Sequence, residues 1–351
     1  MSPGRPHLPP RIYALVARLR GFFTRWLRRA KAPGRFETGS ARSWRGYLTT
    51  SPAVAPSRDF LVYVPAGWTR WKRAPLLVLL HGCRQSPQDI AALTRIVDHA
   101  DAEGMLVLLP RQTTHANEWG CWNWFEANTE RGAGAAAIVA AQIVRARRRY
   151  RARRERVWVA GLSAGGALAA ILGLRHPRLV RGVLVHSGLA CGAASSPAAA
   201  LRVMREGPDT NVVRIADDAY IAQRRDTCDV PLLVIHGDRD DVVSPRNADA
   251  LVAQYLQFNR RARGDAPGVD DGLPPSFASA RVEAGTARAS RLDDWHAGGT
   301  LAVRRVVVDG LAHAWSGGDA SYAFADPRGP SAISLLAAFV RETRGVDRAR
   351  K

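Results

Sequence analysis

Seven apolar runs punctuate the chain from residue 60 onward, and stretches with one apolar face separate them. Phe60 to Val64 reads as a strand closed by Pro65 and the turn Ala66-Gly67-Trp68. Leu76 to Leu80 is apolar at every position, as expected of a strand buried on both sheet faces. It ends in His81-Gly82-Cys83. Further strands are expected at Met105 to Leu109, Val157 to Leu162, Gly182 to His186, Pro231 to His236 and Leu301 to Val308. Between them, Ser86 to Ala102 carries Ile90, Leu93, Ile96 and Val97 on one helical side. Helices are also expected over 132–150, after Ser163, from Asn247 to Phe258 and from Ser331 to Arg341. Residues 193–227 read as irregular with one helical piece, and 260–300 as a surface insertion rich in Arg, Gly, Pro and Ala. This alternation predicts an α/β fold: a mainly parallel central sheet with helices on both faces. With no internal repeat and no second apolar core, residues 47–345 are expected to form one domain.

Residues 1–46 read as an appendage. Prolines open it, and residues 11–31 then place Ile12, Val16, Leu19, Phe23 and Trp26 on one stripe, with Arg18, Arg25, Arg28 and Arg29 elsewhere. A basic amphipathic helix of this kind suits an anionic membrane or granule surface. Arg18 and Arg20 interrupt the apolar stretch that a signal peptide needs.

Charge sharpens this division. The net charge is +20, and residues 1–50 hold eleven Lys/Arg against the single acid Glu37. A second block, Arg145 to Arg156, holds eight Arg and one Glu. No aromatic interleaving or nucleic-acid module accompanies these blocks, so they read as solvated basic faces and no nucleic-acid partner is expected. No apolar run is long enough to span a bilayer. The four cysteines, Cys83, Cys121, Cys191 and Cys228, include no C-x-x-C pair, so neither a zinc site nor a redox site is expected.

The candidate chemistry centres on Gly161-Leu162-Ser163-Ala164-Gly165, which joins an apolar run to a small-residue helix. G-x-S-x-G in that setting is a nucleophile elbow, whose strained turn presents the Ser hydroxyl at the end of a strand. A Ser hydroxyl needs a base, and the base needs a carboxylate to fix its tautomer. The expected chain order is Ser, then acid, then His, each after a core strand. Asp240 is the expected acid, with Asp241 its rival and Asp238 too near the strand end; His313 is the expected base. His81 and His236 also stand at strand ends and read as structural. The expected oxyanion donors are the backbone N–H groups of Ala164 and Cys83.

The blocks LLHGCRQSPQDI, WGCWNWFEA, RGAGAAAIV, VWVAGLSAGGALAA, IHGDRDDVVSPRNA, GLAHAWSGG and SYAFADPRGPSA together resemble the polyhydroxybutyrate depolymerase-type esterases, a branch of the α/β-hydrolases. The resemblance spans about residues 58 to 342. It implies an α/β-hydrolase fold and a cofactor-independent serine hydrolase of short 3-hydroxyalkanoate polyesters or oligoesters, working through an acyl-serine intermediate. Ser163, Asp240 and His313 match the family's triad. Trp122, Asn123, Trp124 and Trp315 fall beside its cleft, where rings can grip an oligoester chain. The family also includes feruloyl and acetyl-xylan esterases, which stand as the alternative substrate classes. Export of many relatives points to an extracellular or periplasmic location; the lack of a clean signal peptide points to the cytoplasm. Cys83 is expected to pair with Cys121, since both flank the cleft, and Cys191 with Cys228. The charge supports a contrasting expectation, a non-catalytic relative that binds anionic surfaces.

Overall fold

A computed structural model describes residues 32–43, 57–223, 227–264, 278–282, 288–297 and 300–344. The basic stretch 11–31 lies outside the described residues, as does most of the expected appendage.

Ten strands form one sheet, in the order β1-β2-β4-β3-β5-β6-β7-β10-β9-β8. They are β1 (Arg35–Arg42), β2 (Ser57–Val64), β3 (Leu76–Leu80), β4 (Leu106–Pro110), β5 (Val157–Leu162), β6 (Gly182–His186), β7 (Leu232–Gly237), β8 (Ala278–Val282), β9 (Ser290–Ala297) and β10 (Thr300–Val308). The six central strands, from β4 through β10 in that order, run parallel. The antiparallel strands β2 and β1 continue one side, and β9 and β8 the other.

Helices cover both faces. On one side lie α1 (Pro87–Leu93) and α2 (Ile96–Glu103); on the other lies α4 (Gly134–Tyr150), preceded by the short α3 (Ala127–Glu130). They are followed by α5 (Ala164–Arg175), α6 (Pro197–Glu206), α7 (Val212–Gln223), α8 (Arg246–Arg263) and α9 (Ala332–Arg344). Alternation along β3 explains how one strand serves two cores. Leu76, Val78 and Leu80 pack with Ile143, Leu168, Leu172, Tyr255 and Phe258. Leu77 and Leu79 face the opposite way, toward Ile90, Ile96, Leu336 and Phe339. A period of two side chains on a strand buried from both sides requires an apolar residue at every position.

Two expected boundaries shift. Residues 35–42, read from sequence as part of the appendage, pair along β2 as an edge strand. Residues 290–297, read as part of a surface insertion, are β9, and residues 278–282 are β8. β9 is hidden by its charges. Arg304 and Arg305 of β10 stand opposite Asp294 and Asp293 of β9 and pair with them, each at 2.7 Å. Side-chain pairs across neighbouring strands stabilise a sheet that hydropathy alone does not reveal.

Candidate active site

Ser163 terminates β5 and opens α5 with φ 56° and ψ −121°. L-residues rarely hold this conformation, and such strain persists only where the surroundings impose it. Here close packing imposes it. A Cβ on Gly161 would overlap the Gly165 carbonyl, and one on Gly165 would overlap the carbonyls of Leu80 and His81. Both positions must therefore be glycine for α5 to sit against β3 and β5. Ser163 does not use its side chain to cap α5. Among the described residues its hydroxyl makes no hydrogen bond.

Asp240 follows β7 in a tight turn and is 6% exposed. Its Oδ1 accepts the backbone N–H groups of Val242 at 3.1 Å and Val243 at 2.8 Å. Nδ1 of His313 lies 3.0 Å from Oδ1 and 2.9 Å from Oδ2. His236 Nε2 donates to the Val243 carbonyl at 2.8 Å and lies 3.4 Å from Asp240 Oδ2. Burial alone would raise the Asp240 carboxyl. The hydrogen bonds and charges of His236 and His313 outweigh it and hold the group well below the usual carboxylate range. An ionised carboxylate only accepts, so His313 carries its proton on Nδ1 and turns a basic Nε2 outward. Asp241 is exposed, and Asp238 is engaged by the Gly310 N–H at 2.6 Å.

His186, at the end of β6, ties these parts together. Its backbone carbonyl accepts the Ser163 N–H at 2.9 Å. Its ring Nε2 accepts the Ser316 N–H at 3.0 Å, three residues beyond His313. The ring is fully buried and stacks on Trp315 at 4.9 Å. Sequence reading passed over His186, although it carries the same signal as His81 and His236: a His closing an apolar strand.

The loop after β3 reaches the elbow, where Gly82 lies against the Leu162 carbonyl. Neither the Cys83 N–H nor the Ala164 N–H is taken by a protein acceptor among the described residues. His81 is buried beneath this loop. Its Nδ1 donates to the Gly82 carbonyl at 2.8 Å, and its Nε2 accepts the Gln112 N–H at 3.2 Å. Cys83 is joined to Cys121 by a disulfide.

The four residues expected beside the cleft are all buried. Trp122 is buried, donating its indole N–H to the His81 carbonyl at 3.0 Å. Trp124 is buried against Phe125. Asn123 holds its own loop, donating to the Ala116 carbonyl and Glu126 and accepting from Asn117. Trp315 is buried on His186. A large ring with a satisfied N–H, as in Trp122, is well placed as a core residue. The exposed aromatics near the expected site are instead Trp119, Tyr322 and Phe324.

The expected Cys191–Cys228 pairing is also corrected: both thiols are free. Cys191 follows β6, whereas Cys228 precedes β7, and in parallel neighbours those positions lie at opposite ends of the sheet. Cys191 Sγ contacts the Glu130 carbonyl and Cys228 Sγ the Pro177 carbonyl.

The buried imidazoles make stability depend on pH. Burial pushes His81 down to about 4 and His186 down to about 3, from the ordinary 6.5. Below pH 6.5 the unfolded chain protonates both, while the folded chain resists until much lower pH. The unfolded state then binds more protons, so stability falls on acidification, by up to ~1.4 kcal/mol per pH unit for each ring. Thermal melts at pH 7.5 and pH 5.0 are expected to show a midpoint several degrees lower at pH 5.0. An equal or higher midpoint at pH 5.0 would contradict the buried, neutral assignment.

Residues 58–269 match the family model described as esterase PHB depolymerase. Poly(3-hydroxyalkanoate) depolymerase C of Paucimonas lemoignei is 28% identical over 199 residues, covering 56% of this chain and 47% of that protein. The chain thus spans about half the length of that relative. Feruloyl esterase B of Neurospora crassa is 26% identical over 206 residues, covering 54% of this chain and 68% of that protein. Among solved structures, acetyl xylan esterase from Aspergillus awamori superposes with a TM-score of 0.62 at 16% identity, over 80% of this chain and 94% of that one. That likeness identifies the fold as an α/β-hydrolase fold.

Proposed function

The chain belongs to the esterase PHB depolymerase family, and from that membership and the geometry around Ser163 we propose that it is a serine-dependent carboxylic ester hydrolase. The observation that carries this reading is the contact of His313 Nδ1 with both oxygens of Asp240, which reserves Nε2 for a proton from the nucleophile.

In the proposed reaction the Ser163 hydroxyl attacks the ester carbonyl carbon as His313 Nε2 removes its proton. Negative charge on the carbonyl oxygen is met by the N–H groups of Cys83 and Ala164. Asp240 stabilises the imidazolium and stays ionised. Collapse breaks the bond to the alcohol, which leaves with the proton from His313. Water, deprotonated by the same imidazole, then cleaves the acyl-Ser163 ester and restores the hydroxyl.

The proposed substrates are short 3-hydroxyalkanoate polyesters or oligoesters. The family match and the Paucimonas relative support this class. A feruloyl- or acetyl-ester substrate is the second reading, favoured by the feruloyl esterase of which this chain covers the larger share. Rates on 3-hydroxybutyrate oligomers, amorphous polymer, methyl ferulate and acetylated xylan separate the two. The 3-hydroxybutyrate oligomers are expected to give a kcat/KM at least about tenfold above the ferulate and the xylan, the size of a moderate pocket preference. A faster ferulate or xylan reaction would transfer the assignment to the second reading.

A further inference from the structure

We propose that Phe324 forms the wall of the subsite that receives the alcohol part of the ester, and that it gives the site a preference for apolar alcohols. The proposal rests on the esterase reading of Ser163 and His313.

Phe324 has φ 64°. A bulky side chain rarely occupies that region, which glycine enters freely. The usual recompense for such a conformation is burial, and here it is incomplete, because the residue is 46% exposed. An aromatic residue held in an unfavourable backbone conformation, yet left open to solvent, is a candidate for function rather than for packing.

Its surroundings say which function. The ring meets the His313 imidazole edge-on, with centroids 6.2 Å apart and planes at 78°. The backbone beneath it is fixed. The Phe324 carbonyl accepts the Trp315 N–H at 2.7 Å, in the strand β11 (Trp315–Ser316). The next two residues are β12 (Ala325–Asp326), which pairs with β11. Arg288 clamps Asp326 at 2.6 Å. The ring is thus carried on a braced segment, as a specificity wall must be if it is to discriminate at all.

The chemistry then sets the side of the substrate that Phe324 borders. The carbonyl oxygen is directed to the N–H groups of Cys83 and Ala164. His313 passes its proton to the departing alkoxide, so groups flanking the imidazole line the path of the alcohol. In an oligoester that alcohol is the hydroxyl end of the next 3-hydroxyacid unit, which presents a short alkyl group and no charge near the reacting oxygen. A phenyl ring beside it gains contact with each added methylene and nothing from a polar hydroxyl. Tyr322, also exposed, lies two residues away on the same segment.

The test compares butyrate esters that share an acyl group and differ in the alcohol: methyl, n-butyl and benzyl. Their kcat/KM reports the acylation half, the half in which the alcohol is bound. The full chain is assayed alongside Phe324→Gly and Phe324→Leu. Glycine accepts the φ of 64°, so the Phe324→Gly melting midpoint is expected at or above the native value while the ring is gone. Its benzyl-to-methyl ratio of kcat/KM is expected to fall about tenfold or more, the scale set by loss of an apolar contact in a pocket. Phe324→Leu is expected to keep most of the ratio. A ratio that stays at its native value in both variants overturns the proposal, whether the overall rate falls or holds. A native chain that turns over none of the three esters overturns the esterase reading itself, and this inference with it.

Discussion

Ser163→Ala removes ester turnover: kcat/KM for p-nitrophenyl butyrate is expected to fall by about 10⁴ to 10⁶, the scale of losing the nucleophile in other serine hydrolases. The substitution deletes one oxygen that makes no hydrogen bond among the described residues and does not cap its helix. Alanine at φ 56° is no better and no worse placed than serine. The fold is therefore expected to survive, with a thermal midpoint within about 2 °C of the native chain, a shift of no more than about 1 kcal/mol for a domain this large. The Cys83 and Ala164 N–H groups remain, so any residual rate measures what oxyanion binding contributes without covalent chemistry. Turnover at the native rate would refute the assignment of Ser163.

Asp240→Asn is expected to cost about 10⁴ in kcat, the scale of a wrong imidazole tautomer in a triad, although the shape of the side chain hardly changes. The reason lies in which atoms donate. The N–H groups of Val242 and Val243 both point at Oδ1, so an amide oxygen must sit there and the amide NH₂ takes the place of Oδ2. That NH₂ then faces His313 Nδ1, now 2.9 Å from Oδ2. Two donors cannot share that contact, so Nδ1 becomes the acceptor and the ring proton moves to Nε2. An imidazole protonated on Nε2 cannot accept from Ser163. Asp240→Ala is expected to lose activity without this inversion, since water can enter and accept from Nδ1. A kcat ratio near one for Asp240→Asn would show that His313 is oriented by something other than Asp240. His186 and His236 would be the residues to examine next.

The sequence pattern captured the centre of the sheet better than its edges. Strands buried on both faces must be apolar throughout, so β3, β4, β5, β6 and β7 stand out as runs. The strand β1, Arg-Phe-Glu-Thr-Gly-Ser-Ala-Arg, lies at an edge and is mostly exposed, so little in its composition demands a strand. In β9 the acids Asp293 and Asp294 read as loop residues until Arg304 and Arg305 stand beside them, and that neighbour is set by tertiary pairing alone. The site divides the same way. The proposed catalytic residues Ser163, Asp240 and His313 are legible because the proposed chemistry demands three residue types in a fixed order after strands, and of these the structure brings Asp240 and His313 into contact. The burial of the aromatic residues is not legible, because an exposed tryptophan and a buried one have the same sequence signature. Trp122 and Trp315 are buried, whereas Phe324 lies open beside His313, and its positive φ cannot be read from residue type. Cys191 and Cys228 failed for a related reason: an even count of cysteines carries no information about which end of a parallel strand each one occupies.

The central claim is that Ser163 is made nucleophilic by His313, held by Asp240. Incubating the full chain with a fluorophosphonate probe and mapping the adduct by peptide mass spectrometry tests it most directly, because phosphonylation requires an activated hydroxyl and no knowledge of the natural ester. The account predicts a single adduct on the peptide containing Ser163, absent from Ser163→Ala and strongly slowed in Asp240→Asn. An unlabelled native chain that is folded by its thermal melt, or an adduct on any other residue, would contradict it.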